Sequence, residues 1–203
     1  FNTGPRNYSI LREFADTYQE LHPILDKMNA HQMGYNLEAD LRAHGLKNEE
    51  ILGGLKKFWR DRFFTDAYVV RDAPYRGARR LVERAVEVGL IPYYLTGRDH
   101  PNMREGTIQS LKQHGFPMDE NAVLRMKPRW EDDDAEFKQA VVGELNALGE
   151  VVLAFENEPG NANLFKRAFP GAVVALHETI CAPNPPPLDG DVLVLGSLEG
   201  FED

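Results

Sequence analysis

At 203 residues the chain can form one sizeable domain, or a core with a small accessory domain, and its 42% hydrophobic and 27% charged residues fit an ordinary globular protein. A net charge of -9 argues against sequence-independent nucleic-acid binding, yet leaves room for a local positive site that takes a small phosphorylated substrate. Cys181 is the only cysteine, so no intrachain disulfide can form, and no apolar run approaches the ~18 residues of a membrane span; the expectations are a cytoplasmic protein with no nucleic-acid and no membrane partner.

Residues 7–72 read as helical. Ile10, Leu11, Phe14 and Tyr18 recur at helical spacing, as do Ile51, Leu52, Leu55, Phe58 and Trp59. The stretch "KKFWRDRFF" is expected to be a packed helix face, and "AYVV" at 67–70 the first strand. From residue 73 onward helices and strands alternate. Residues 77–88 put Ala78, Leu81, Val82, Ala85 and Val86 on one helical face, with Gly89 as the stop. The strand "LIPYYL" follows at 90–95, then a helix near 102–114 and a short strand near "NAVLR" at 121–125. The segment "EDDDAEFKQAVVGELNAL" reads as a helix whose acidic start suits the positive end of the helix dipole. The strand "VVLAF" at 151–155 is nearly all apolar, as expected if both its faces are covered. A helix over 160–168, the strand "AVVAL" at 172–176, the loop "APNPPPLDG" and the strand "DVLVL" at 191–195 complete the series.

Such alternation implies an α/β fold with a mostly parallel sheet, and ligands bind such sheets at the carboxyl ends of the strands. After "LIPYYL" come Thr96, Gly97 and Arg98; after "VVLAF" come Glu156, Asn157 and Glu158. The first set suits an anion and the second a hard cation such as magnesium. Phosphoryl transfer needs that pairing, together with a lysine to offset charge on the transferring group. Lys138 stands early in the helix that feeds "VVLAF", and Lys127 in "RMKPR" is its competitor. Arg98 suits a substrate phosphate and a structural carboxylate equally. His100 reads as an exposed loop histidine, and no nucleotide-binding glycine loop is present.

The strings "LTGR", "KPRWEDDDAEFK" and "VVLAFENEPGNANLF" resemble motifs two, three and four of the haloacid dehalogenase (HAD) superfamily of phosphohydrolases, over about residues 66–179. The resemblance implies a Rossmann-like three-layer core, built from residues 1–6 and 73–203, with residues 7–72 inserted as a helical cap. It implies a magnesium-dependent phosphatase acting through an aspartyl-phosphate intermediate. Thr96 would be the phosphate-binding hydroxyl, with Gly97 and Arg98 beside it. Lys138 would be the motif-three lysine, and Glu156 and Asn157 would hold Mg2+. Two departures stand out. Asn157 is neutral where the family favours an acid. No strand ending in Asp-x-Asp opens the chain, and "FNTGPRNYSILREF" resembles the segment that succeeds that motif in the family. The nucleophile is therefore expected upstream of Phe1. The alternative is a catalytically inactive HAD-fold protein used for binding or regulation.

Overall fold

The computed structural model describes residues 1–34 and 36–202. Its regular elements are α1 Gly4–Ala15, α2 His22–Leu25, α3 Leu37–Ala43, α4 Glu49–Phe63, α5 Asp66–Val69, α6 Ala78–Glu87, β1 Tyr93–Asp99, α7 His100–Gln113, β2 Val123–Lys127, α8 Asp134–Leu148, β3 Leu153–Glu156, α9 Pro159–Ala168, β4 Val173–His177 and β5 Leu193–Leu195. They group into two compact units, Phe1–Tyr75 with Arg98–Ala122, and Arg76–Gly97 with Val123–Asp203. Strand β1 passes from one unit to the other, and α7 groups with the N-terminal helices.

The first unit is helical. Pro5 in the first turn of α1 costs no hydrogen bond, because the first amides of a helix have no partner inside it. Leu11 and Phe14 of α1 then meet Leu41 of α3 and Ile51, Leu52 and Leu55 of α4 in one buried cluster. The aromatic stretch packs as its pattern predicts. The Trp59 ring stacks on Phe63 with centroids 4.6 Å apart, and its Nε1 donates to Asn7 Oδ1 at 2.9 Å. The strand expected at 67–70 is instead the short helix α5. Its first residue, Asp66, accepts from the Gly106 amide of α7 at 2.6 Å, and a Cβ placed at Gly106 would lie 2.4 Å from the Asp66 carbonyl oxygen. Packing against a glycine on a neighbouring helix has overridden the β preference of the two valines.

The second unit is α/β. Strands β3, β4 and β5 form a parallel sheet in that order, with Glu156 opposite Leu176 and His177 opposite Leu195. Helix α9 connects β3 to β4 and packs on both. One face of this sheet seats Val174 and Leu176 against Ala162 and Phe165 of α9 and Val142 of α8. Strands β1 and β2 pair separately. The amino ends of this pair lie together, since Val123 N donates to Pro92 O at 3.0 Å.

Two expectations change here. Strand β1 starts only at Tyr93 and runs on to Asp99, so Thr96, Gly97 and Arg98 lie within it instead of after it. And "VVLAF" is not sealed on both faces: Val152 is 40% exposed and β3 is half-buried throughout. The reason is the division of the strands into two small sheets, which leaves β1 and β3 each with one edge lacking a strand partner among the described residues. No helix among the described residues is long and apolar enough to cross a membrane.

Candidate active site

Helix α8 assembles the candidate site, which lies within the second unit. Asp133 caps the helix by accepting from the amides of Ala135 and Glu136 at 2.9 and 3.0 Å. Asp132 pairs with Arg129 at 2.7 Å in the preceding turn. Those two acids therefore do the helix-start work that the sequence suggests for all three. Asp134 does something else. Its Oδ1 accepts from Lys127 Nζ, at the end of β2, at 2.7 Å. Its Oδ2 lies so close to Gly97 of β1 that a Cβ there would be 2.5 Å away. A side chain at position 97 would make the Asp134 carboxylate, the far end of an exposed side chain, move aside.

Lys138 lies one turn further along the same helix face. Its ammonium is ion-paired with Oε1 of Glu156, the last residue of β3. Both side chains are 10% exposed. Glu156 is held further by the amides of Asn157 and Glu158, which donate to Oε2 at 2.8 and 3.0 Å, and by Asn161 Nδ2 at 3.4 Å from Oε1. Asp134 and Lys138 thus tie the carboxyl ends of β2 and β3 to one helix, with Asp134 lying against Gly97 of β1. Leu95 of β1 also packs against the apolar cluster that includes Ala154 of β3. The two sheets share a helix and a cluster without sharing a strand pairing.

The structure gathers Gly97, Lys127, Lys138 and Glu156 around α8. Strand alternation puts Thr96 on the face of β1 opposite Leu95 and Gly97. Arg98 belongs to the first unit, where its guanidinium donates to Asp72 Oδ2 at 2.5 Å and to Thr107 Oγ1 at 3.1 Å. Burial is the largest influence on Arg98, pulling its pKa down to about 10 against the opposing pull of Asp72. It stays charged at neutral pH, and its fork is engaged by a structural carboxylate. Asn157 Nδ2 donates to Ile180 O at 3.1 Å, and Glu158 accepts from the Ala182 amide at 3.1 Å; both secure the proline-rich loop. His100 is exposed at the start of α7.

Magnesium takes six oxygens in near-octahedral geometry, usually including one or two carboxylates. Glu156 has both oxygens committed to protein donors, and among the described residues no three His, Cys, Asp or Glu side chains form a metal-holding group. Glu156 and Asn157 do not make a magnesium site on their own.

Asp134 is the candidate that sequence reasoning assigned to the helix start. The signal available was its i, i+4 spacing to Lys138, which places both on one helix face. Comparison with protein-family models, with curated proteins and with solved structures finds no match.

Proposed function

We propose that the chain has the fold and function of a phosphate-ester hydrolase of HAD type, with the phosphate seated at the strand ends gathered by α8. One observation carries this: α8 places Lys138 on Glu156 and Asp134 between Lys127 and Gly97, so two lysines and a close-approach glycine converge where three strands end. Two ammonium groups and the Gly97 backbone suit a phosphoryl group, whose charge grows on its oxygens during transfer.

The same proposal includes a three-layer core and, for residues 7–72, a cap. The split sheet supports the first point. A strand laid along the open edge of β3 or of β1 would satisfy unpaired backbone groups and cover half-buried apolar side chains. A first strand ending in Asp-x-Asp would fit there. Its leading aspartate would attack phosphorus, the alcohol would leave, and water would then hydrolyse the acyl phosphate. Magnesium in this scheme needs those aspartates as ligands, because Glu156 and Asn157 alone do not suffice.

The test is phosphate-ester hydrolysis by a chain carrying an Asp-x-Asp strand ahead of Phe1, assayed against a broad ester panel with and without magnesium. Turnover that needs magnesium and falls at least ~100-fold in Lys138→Ala is the expected result, the size set by losing a charge that stabilises the transition state. An inert protein across the whole panel would sink the hydrolase.

The saturation of Glu156 favours a second function. A carboxylate with four protein donors is built as a structural post, which suits a protein that binds a phosphorylated ligand without turning it over. Phosphate binding without hydrolysis in the same experiment selects it.

A further inference from the structure

We infer that Asp134 is an internal competitor of the phosphate: its carboxylate holds Lys127 over Gly97 and is displaced when a phosphate-bearing ligand pairs with the same ammonium. The inference rests on the phosphate site proposed above and adds the group that sets its affinity.

The two ion pairs on α8 differ in their anions. Lys138 and Glu156 are both 10% exposed, and Glu156 takes three further protein donors. Lys127 is also 10% exposed, but its partner Asp134 is 63% exposed. A nearly buried ammonium needs an anion beside it. Asp134 supplies one, at 2.7 Å through Oδ1, from a side chain that stays largely in water. The same carboxylate lies on the backbone of Gly97, where an added Cβ would be 2.5 Å from Oδ2 and 2.9 Å from Cγ. An anion with two oxygens on one centre therefore already sits against Lys127 and Gly97, two of the groups that the proposed site offers a phosphoryl group. A phosphate cannot take up both while the carboxylate fills the space over Gly97.

Exchange costs little on either side. An ion pair with an exposed member contributes modestly, so breaking it is a small loss. The displaced carboxylate remains in the first turn of α8, where the positive end of the helix dipole favours an anion. The helix start does not depend on it, because Asp133 supplies the cap and Asp132 pairs with Arg129. Lys127 passes from one anion to another and avoids the costly state of a buried, unpaired ammonium. What remains is repulsion between the displaced carboxylate and the phosphate at short range. Asp134 therefore limits the hold on inorganic phosphate, the product of the proposed reaction.

The test is calorimetric titration of the 203-residue chain with inorganic phosphate. Wild type is compared with Asp134→Asn, Asp134→Ala, Asp134→Glu, Lys127→Met and the double variant Lys127→Met with Asp134→Asn, each checked for folding by urea unfolding. Asp134→Asn keeps the shape and removes the charge, and it should bind phosphate about five-fold tighter, the fold-change that matches the upper end of an ion pair with an exposed member. Asp134→Ala should gain likewise, which keeps the test open if the amide disturbs the helix start. Asp134→Glu, with the charge restored, should fall back toward the wild-type affinity. The double variant should show no gain over Lys127→Met, because the competition is for Lys127. A purely structural ion pair predicts the opposite sign, since losing it would loosen Lys127. Unchanged or weaker binding in both Asp134→Asn and Asp134→Ala, or a gain that persists without Lys127, overturns the inference and leaves the phosphate site standing. If phosphate binds neither the wild type nor the Asp134 variants, the phosphate site itself is lost and the inference falls with it.

Discussion

In the first unit Asp72, 1% exposed, is gripped by two guanidinium groups: Arg6 donates through Nε at 2.7 Å and again through its terminal nitrogen, and Arg98 donates at 2.5 Å. In the second unit Lys138 meets Glu156 and Lys127 meets Asp134, whose side chain is 63% exposed. The first cluster has two cations for one anion and lies in the interior. The second set lies where strands end, and its carboxylates take donors from backbone and side chains alike. Charges sealed in an interior chiefly hold a fold together, because their partners cannot be exchanged for a ligand without exposing them to one another. Of the second set only Asp134 is exposed, so Lys127 has a partner it can exchange, whereas Lys138 and Glu156 are as buried as the first cluster. Arg98 differs from them in sharing a single carboxylate with Arg6.

Breaking the sealed cluster should have the largest effect. Asp72→Asn leaves Arg6 and Arg98 facing each other without an anion, and removing one member of a buried ionic group costs about 3–5 kcal/mol. Urea unfolding of the variant should lose stability on that scale. A loss under ~1 kcal/mol, no more than an exposed ion pair is worth, would mean that the cluster is solvated and the contrast between the units false.

Lys138→Met should cost less, about 1–3 kcal/mol, because Glu156 keeps its two backbone donors and loses one charged hydrogen bond. The double variant Lys138→Met with Glu156→Gln should recover part of that loss, since it removes both charges. Phosphate affinity should fall in both variants. Stability losses as large as those of Asp72→Asn would place the pair with the structural cluster.

Much of this contrast lies beyond what pattern can carry. Strand β4 was legible because its short apolar run, Ala172–Leu176, is set off by Pro170-Gly171 before it and polar residues after it. Helices α8 and α9 were legible from their periodicity and flanking polar residues. The short helix α5 was not, because its state depends on Gly106, forty residues away. Nor was the split between the sheets, since hydrogen-bonded edges are a property of neighbours and the strand run itself carries no record of them. Gly97 and Glu156 could be named from the apolar runs they close, and Lys138 from its place early in the helix that feeds β3. Arg98 could not be assigned, because its partner Asp72 lies 26 residues earlier and only folding brings the two together. Asp134 was hidden in a row of three acids that share one plausible role at a helix start.

Acid should separate the two units by pH, with the smallest change in stability. His177, at the end of β4, is 8% exposed, and burial lowers its pKa below the ordinary 6.5. A depressed folded pKa means that the folded state holds fewer protons than the unfolded one, so stability is fully present above ~6.5 and is lost as pH falls from there through the folded value. In the first unit Glu13 accepts from Arg62 and from the Tyr68 hydroxyl, and these bonds lower its pKa below the ordinary 4.5. Its contribution has the same sign but starts to fade only below ~4.5, and its 40% exposure keeps the contribution small. The second unit should therefore loosen first on acidification. Each unit holds one of the two tryptophans, Trp59 in the first and Trp130 in the second, so emission from Trp59→Phe and Trp130→Phe variants reports them separately. Between pH 7 and 5 the Trp130 signal should lose urea resistance while the Trp59 signal holds, and His177→Gln should flatten the first slope. Coincident transitions, or a slope untouched by His177→Gln, would show that the buried histidine does not set the acid limit of the second unit.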